Sequence, residues 1–164
     1  MKVVVSPLLA AALLTAPAAA RAQQYQPSAS AMVGSGVESG GYGARRARTR
    51  LRAALELRTD ERPDEALVVA GDVDVEPKPG FGADVRYGRA LGPTLTLSAG
   101  AIGYLVPGTL IGPCAGAEAR LPMGKGAFAV VAPDVSVFVA GSDLPENTVV
   151  WQALFQVGLR ASFF

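Results

Sequence analysis

Arg48-Thr49-Arg50-Leu51-Arg52-Ala53-Ala54-Leu55-Glu56-Leu57-Arg58-Thr59 alternates with a period of two. The odd positions are Thr, Leu, Ala, Leu, Leu and Thr. The even positions are Arg, Arg, Arg, Ala, Glu and Arg. An extended chain points successive side chains to opposite faces, so this stretch has one apolar face and one charged face as a strand. As a helix it would scatter the charges around its circumference.

The same phase recurs on both sides. In 66–75, Leu67, Val69, Val73 and Val75 oppose Asp72 and Asp74. In 81–89, Phe81, Ala83, Val85 and Tyr87 oppose Asp84 and Arg86. In 94–105, Leu95, Leu97, Ala99 and Ala101 oppose Thr94, Thr96 and Ser98. In 111–121, Ala115, Ala117, Ala119 and Leu121 oppose Glu118 and Arg120. In 127–139, Ala129, Val131, Val135, Val137 and Val139 oppose Asp134 and Ser136. In 149–163, Trp151, Ala153, Phe155, Val157, Leu159 and Phe163 oppose Gln152, Gln156 and Arg160. A weaker first strand, about 29–38, sets Ala31, Val33 and Val37 against Glu38. Turn-forming runs separate them: DERPDE at 60–65, EPKPG at 76–80, LGP at 91–93, VPG at 106–108, PMGKG at 122–126 and GSDLPEN at 141–147. The expectation is an all-β chain of about eight antiparallel strands in an up-and-down barrel, both chain ends on one side. Pro133 lacks a ladder donor and predicts a bulge or break in the seventh strand.

The chain has 164 residues and a net charge of +1, which suits one domain and gives no reason to expect nucleic acid. Its N-terminus reads as a signal peptide. Lys2 is the basic n-region, Val3 to Leu14 the apolar h-region, and Ala20-Arg21-Ala22 the cleavage motif. The expected organisation is a cleaved signal at 1–22, a short periplasmic lead-in at 23–28 and the barrel at 29–164; an uncleaved N-terminal anchor is the alternative. The only cysteine is Cys114, so no internal disulfide forms.

Alternation suits either a soluble barrel with the odd residues inside or a transmembrane barrel with them outside. Three features favour the second. The aromatics of the apolar face (Phe81, Tyr87, Trp151 and Phe163) fall mainly near strand ends, as in an interfacial girdle. The polar face mixes glycines with charges of both signs, which a narrow lumen needs. The last strand runs to Ser162-Phe163-Phe164. On this pattern and ending, the mature chain resembles the small bacterial outer-membrane β-barrel proteins, the OmpA-like and OmpX-like eight-stranded barrels. The resemblance implies a Gram-negative-type cell envelope, outer-membrane lipids around the barrel, and the barrel-assembly machinery as a partner reading Phe163 and Phe164. In the family the final Phe shares the lipid-facing phase; here Phe163 is in phase and Phe164 is not.

Pairing 48–59 with 66–75 about residue 62 sets Arg52 opposite Asp72 and Arg50 opposite Asp74. Pairing the first strand about residue 43 sets Glu38 opposite Arg48. The expected lumen plug is therefore Arg48, Arg50, Arg52, Arg86, Arg120 and Arg160 with Glu38, Asp72, Asp74, Asp84, Glu118 and Asp134. In the soluble alternative the same residues form a solvated outer face. An eight-stranded barrel is filled by its own side chains, so no porin-like channel is expected.

Catalytic motifs are wanting. The chain has no His, which excludes a Ser–His arrangement and His-ligated zinc. Cys114 falls on the lumen face as a small filler, and Asp72 and Asp74 lie beside arginines as ion-pair partners. No cofactor or metal is expected. Segments 39–47, 76–80, 106–110 and 141–148 fall on the outer side. The first, Ser39-Gly40-Gly41-Tyr42-Gly43-Ala44-Arg45-Arg46, offers Arg45 and Arg46 to anionic headgroups or lipopolysaccharide phosphates, though its composition suits a solvated loop at least as well. The functional expectation is a non-catalytic outer-membrane barrel with a structural or surface-contact role. The alternative is a soluble exported barrel or sandwich that binds a small apolar ligand between its odd positions.

Overall fold

The stretch Arg46–Thr59 forms a strand, β2, and the phase of its alternation is kept by every neighbour around a closed sheet. The computed structural model describes residues 25–40, 45–76, 78–144 and 148–163. The expected signal peptide, the start at Gln23, loop residues 41–44 and Phe164 lie outside the described residues. The other strands are β1 (Tyr25–Gly40), β3 (Arg62–Glu76), β4 (Gly80–Ala90), β5 (Leu95–Val106), β6 (Leu110–Gly124), β7 (Ala127–Phe138) and β8 (Val150–Ser162). Each pairs antiparallel with the next, and β8 pairs with β1. The fold is a closed eight-stranded up-and-down barrel. Short turns at 60–61, 91–94 and 125–126 lie at the end that holds both termini; the β1–β2, β3–β4, β5–β6 and β7–β8 connections lie at the other, the loop end.

Even residues face inward and odd residues outward. Leu55 is 58% exposed and Arg50 is fully buried, five residues away on the same strand. The outer face is a belt of Val, Leu and Ala; the interior is mostly polar. That arrangement inverts a soluble protein and matches a barrel whose exterior solvent is hydrocarbon. It also removes the alternative of an apolar ligand held among the odd positions, because those positions are outside.

Several strands are longer than their apolar patterns. β1 begins at Tyr25 and not at 29, so residues 25–28 of the expected lead-in pair with 56–59 of β2. β3 begins at Arg62 rather than 66. The ladder continues past the apolar belt into polar residues, where alternation of hydrophobicity gives no signal.

Between β2 and β3 the register is as expected, with Arg52 opposite Asp72 and Arg50 opposite Asp74. Between β1 and β2 it is not: Glu38 faces Arg46, and Arg48 faces Gly36. The turn is centred one residue earlier than expected, which slides the pairing by two. A slide of two preserves the side-chain phase, so hydrophobic patterning cannot detect it. Arg48 still reaches Glu38 on the diagonal, with Nη2 2.6 Å from Oε2.

Pro133 neither breaks β7 nor bulges it. It faces outward opposite Phe155, and pairing with β8 is continuous. On the β6 side the ladder lapses between Gly116–Asp134 and Ala119–Val131 and resumes in the same register. A missing N–H removes one bond, while a φ near −65° remains compatible with an extended chain. The irregularity lies instead across Pro113. Beyond the Cys114–Ser136 pair the next partners are Ile111 and Ala140, one residue out of step.

Candidate functional site: the charged lumen

Alternation sends the even residues of every strand into one narrow space, and in this chain many of them are charged. At the loop end the side chains close a ring. Arg48 donates from Nε (3.0 Å) and Nη2 (2.6 Å) to Glu38 Oε2, and from Nη1 to Asp74 Oδ2 at 3.3 Å. Arg50 donates from Nε to Asp74 Oδ1 at 2.8 Å and from Nη2 to Gln152 Oε1 at 2.5 Å. Gln152 Nε2 returns to Glu38 Oε2 at 2.8 Å. The Tyr104 hydroxyl donates to Asp74 at 3.2 Å, and the Arg50 guanidinium lies 5.4 Å from the Tyr104 ring centre.

The middle of the lumen holds a second cluster. Arg52 Nη1 is 3.2 Å from Asp72 Oδ1, and Nη2 donates to Asp84 Oδ1 at 3.0 Å. Arg86 donates to both oxygens of Asp84 at 3.0 Å and reaches Asp134 with Nη1. The third cluster, toward the termini, centres on Glu56. It accepts from Arg58 Nε at 2.7 Å and Arg120 Nη2 at 2.9 Å, and pairs with Arg160 Nη1 at 2.7 Å. Glu118 accepts from Arg120 Nε at 2.6 Å and Arg160 Nη2 at 2.7 Å.

All twelve expected lumen residues (Glu38, Arg48, Arg50, Arg52, Asp72, Asp74, Asp84, Arg86, Glu118, Arg120, Asp134 and Arg160) point inward and enter ion pairs. Glu56 and Arg58 join them, making seven arginines and seven carboxylates. The balance matters because an unpaired buried charge is far more costly than a paired one. The cations of these pairs are arginine throughout; the described lysines, Lys78 and Lys125, sit in turns. Guanidinium offers a planar fork of donors and bridges two carboxylates with little further loss of side-chain freedom.

Glu56 stood on the charged face in the sequence, yet nothing opposite it on β1 or β3 marks it as a hub: its neighbours are Ser28 and Val68. Two of its three arginines arrive from β6 and β8 across the lumen; the third, Arg58, lies two residues along β2. Gln152 and Tyr104 were likewise missed as members of the upper ring; their even numbering was the available signal.

Much of the remaining lumen is apolar or small. Ile102, Tyr104, Leu110, Cys114, Phe138 and Val150 form a cluster at the loop end, with Leu144 of the β7–β8 connection packed on it. Cys114 is 4% exposed within that cluster, which is the filler's position expected of it. Thr109 and Ser142 exchange hydrogen bonds of 2.8–3.2 Å and tie the connection down over this side of the mouth. A cavity of about 270 Å³ remains at the mouth beside it, lined by Arg46, Arg48, Lys78, Tyr104, Pro107 and Asp143 among others. Among the described residues, no group of three or more His, Cys, Asp or Glu is placed to hold a metal ion.

On the outside, Phe81 and Trp151 lie near the loop end, and Tyr25, Tyr87 and Phe163 near the terminus end, all exposed. Phe163 continues from β8, its N–H donating to Pro27 O at 3.2 Å. Arg45 is exposed at the edge of the β1–β2 connection; Arg46 opens β2 and is half-buried.

No protein-family model and no curated protein matches the sequence. Solved structures do match. The crystal structure of Neisserial surface protein A (NspA) is similar with a TM-score of 0.57 and 14% identity, over 85% of this chain and 97% of that one. A structure from the de novo design of transmembrane beta-barrels aligns with a TM-score of 0.45 and 12% identity, over 82% of this chain and 95% of that one. The fold is that of the eight-stranded transmembrane β-barrels.

Proposed function

We propose that this chain is a non-catalytic outer-membrane barrel, exported by a cleaved signal peptide, with a structural or surface-contact role in a Gram-negative-type envelope. The observation that carries the reading is the inversion of polarity: seven arginine and seven carboxylate side chains turned inward, and an outward belt of Val, Leu and Ala between two aromatic rows. A surface of that kind is stable in hydrocarbon and aggregates in water. The filled lumen speaks against solute passage. The absence of His from the sequence and the pairing of the interior carboxylates speak against catalysis. Outer-membrane lipids are the natural partners of the belt. Arg45 and Arg46 at the loop end suit lipopolysaccharide phosphates, and Phe163 with Phe164 suits recognition by the barrel-assembly machinery.

Fractionation of cells expressing the full chain tests the reading, with gel electrophoresis of the membrane fraction before and after boiling. The expected result is an outer-membrane protein whose unboiled band migrates differently from the boiled one. Recovery as a soluble periplasmic protein would sink it. For the surface contact, replacing both Arg45 and Arg46 by Ala should weaken binding of lipopolysaccharide to the purified barrel; unchanged binding would remove those residues from the proposal.

A further inference from the structure

Between the middle and terminal clusters lies a chamber of about 40 Å³, lined by residues of all eight strands. A volume of that size takes one to about three water-sized guests. Among the described residues, no direct ion pair joins the two clusters across it. Two polar side chains in its wall are almost completely buried and have an atom without a partner in the protein: Arg160 Nε and the Gln156 amide oxygen. Arg160 is 4% exposed and Gln156 1%. The other nitrogens of Arg160 are engaged with Glu56, Glu118 and Ser28, so Nε is a donor left over after its ion pairs are made.

The charge of the wall is uneven. Arg52, Arg86, Arg120 and Arg160 line the chamber, against Glu56, Glu118 and Asp134. Asp72 and Asp84 behind the wall neutralise Arg52 and Arg86, but the terminal cluster sets Arg58, Arg120 and Arg160 against only Glu56 and Glu118, so the surplus lies on Arg160's side of the chamber. A water molecule would satisfy the Nε donor and leave the surplus positive charge in place. A single small anion would answer both. We propose that the chamber is a binding site for one monovalent anion of chloride size, received by Arg160 Nε. Gln156 can turn its amide to present NH₂ to the guest, and the Thr96 and Ser30 hydroxyls also line the wall. Room for an ion larger than about three water molecules is lacking. Arg58, Arg120 and Glu118 keep 12–15% of their side-chain surface exposed, which gives the guest a route from the terminus end.

The test uses the purified barrel in detergent. Crystals grown in bromide should show an anomalous peak beside Arg160 Nε. In solution the urea midpoint should be higher in chloride than in gluconate at equal ionic strength; with chloride at ten times its dissociation constant, the folded-to-unfolded ratio rises about tenfold. Arg160→Lys keeps a charge for Glu56 and Glu118 but lacks the Nε donor, and Ala132→Leu fills the chamber while leaving every ion pair in place. Both should lose the chloride preference, and the second keeps the test open should the first fail to fold. Equal midpoints in the two salts for the native chain, or a bromide-free chamber occupied by water, would overturn the proposal. So would a chloride preference that survives Ala132→Leu, because the anion would then sit elsewhere.

Discussion

Arg52 grips two aspartates on two different strands: Asp72, directly opposite on β3, and Asp84, one strand further on β4. The guanidinium therefore ties β2 to β4 through the lumen, where no backbone ladder connects them. Arg52→Ala would leave both carboxylates buried, with Asp84 retaining Arg86 and Asp72 retaining no direct ion-pair partner among the described residues. Breaking a buried pair in this way costs about 3–5 kcal/mol. The expected outcome is a strong fall in the urea midpoint in detergent. Arg62→Ala, which removes an exposed pair with Glu65 at the rim, should leave the midpoint where it was.

Glu56 is the second point of stress. Three arginines converge on its carboxylate, and Glu56→Gln keeps its shape while removing its charge. That substitution should destabilise more than Glu118→Gln, whose carboxylate is partly hydrated and serves two arginines. A double-mutant cycle between Glu56 and Arg160 should give a coupling of about 1–3 kcal/mol; a coupling near zero would mean that the terminal cluster is held by hydration rather than by contact.

The outer belt makes an opposite demand. Val69 faces outward between Leu55 on β2 and Val85 on β4, all three exposed. Val69→Arg adds a charge in the belt and should cost about 2–4 kcal/mol in a bilayer, as at the midplane of other barrels. The measurement is folding yield and urea midpoint in lipid vesicles. If the substitution were neutral there, the belt would not be facing hydrocarbon.

Two glycines give a steric contrast. A Cβ added at Gly100 would fall 2.0 Å from the backbone oxygen of Val85 and 2.7 Å from the Arg86 Cα, whereas one added at Gly71 meets nothing within 4 Å. Gly100→Ala should force β4 and β5 apart and lower the midpoint clearly. Gly71→Ala should be neutral or stabilise by roughly 0.5–1 kcal/mol through the loss of glycine's backbone freedom. The two variants run together in one heat-modifiability series would show whether the β4–β5 spacing is as tight as the backbone indicates.

The strand phase was legible because burial on one face imposes a period of two, and a slip of one residue would have reversed every side chain. The pairings of Arg50 with Asp74 and Arg52 with Asp72 were legible for the same reason, with a charge marking each rung. Where nothing marks the rung, the sequence is silent. Glu38 was set against Arg48 rather than Arg46 because both are arginines of the same phase, two apart. The starts of β1 and β3 lie in polar residues beyond the belt. Glu56 was unreadable as a hub because two of its three arginines, Arg120 and Arg160, come from strands that are distant in sequence and are not its ladder neighbours. Pro133 was expected to disrupt β7 on local chemistry alone, but a neighbour paired on its other side holds the strand straight.

The links across the lumen span long stretches of chain: Arg50 reaches Gln152 102 residues later, and Gln152 reaches back 114 residues to Glu38. While the last strand is still absent, Arg50 and Glu38 therefore lack the Gln152 amide, and Glu56 and Glu118 lack Arg160. An unfinished barrel is a poor guest for hydrocarbon, and each exposed charge raises the penalty for early insertion. The final strand thus completes polar groups at both ends of the lumen at once, and a barrel without it keeps unmet donors and acceptors at each.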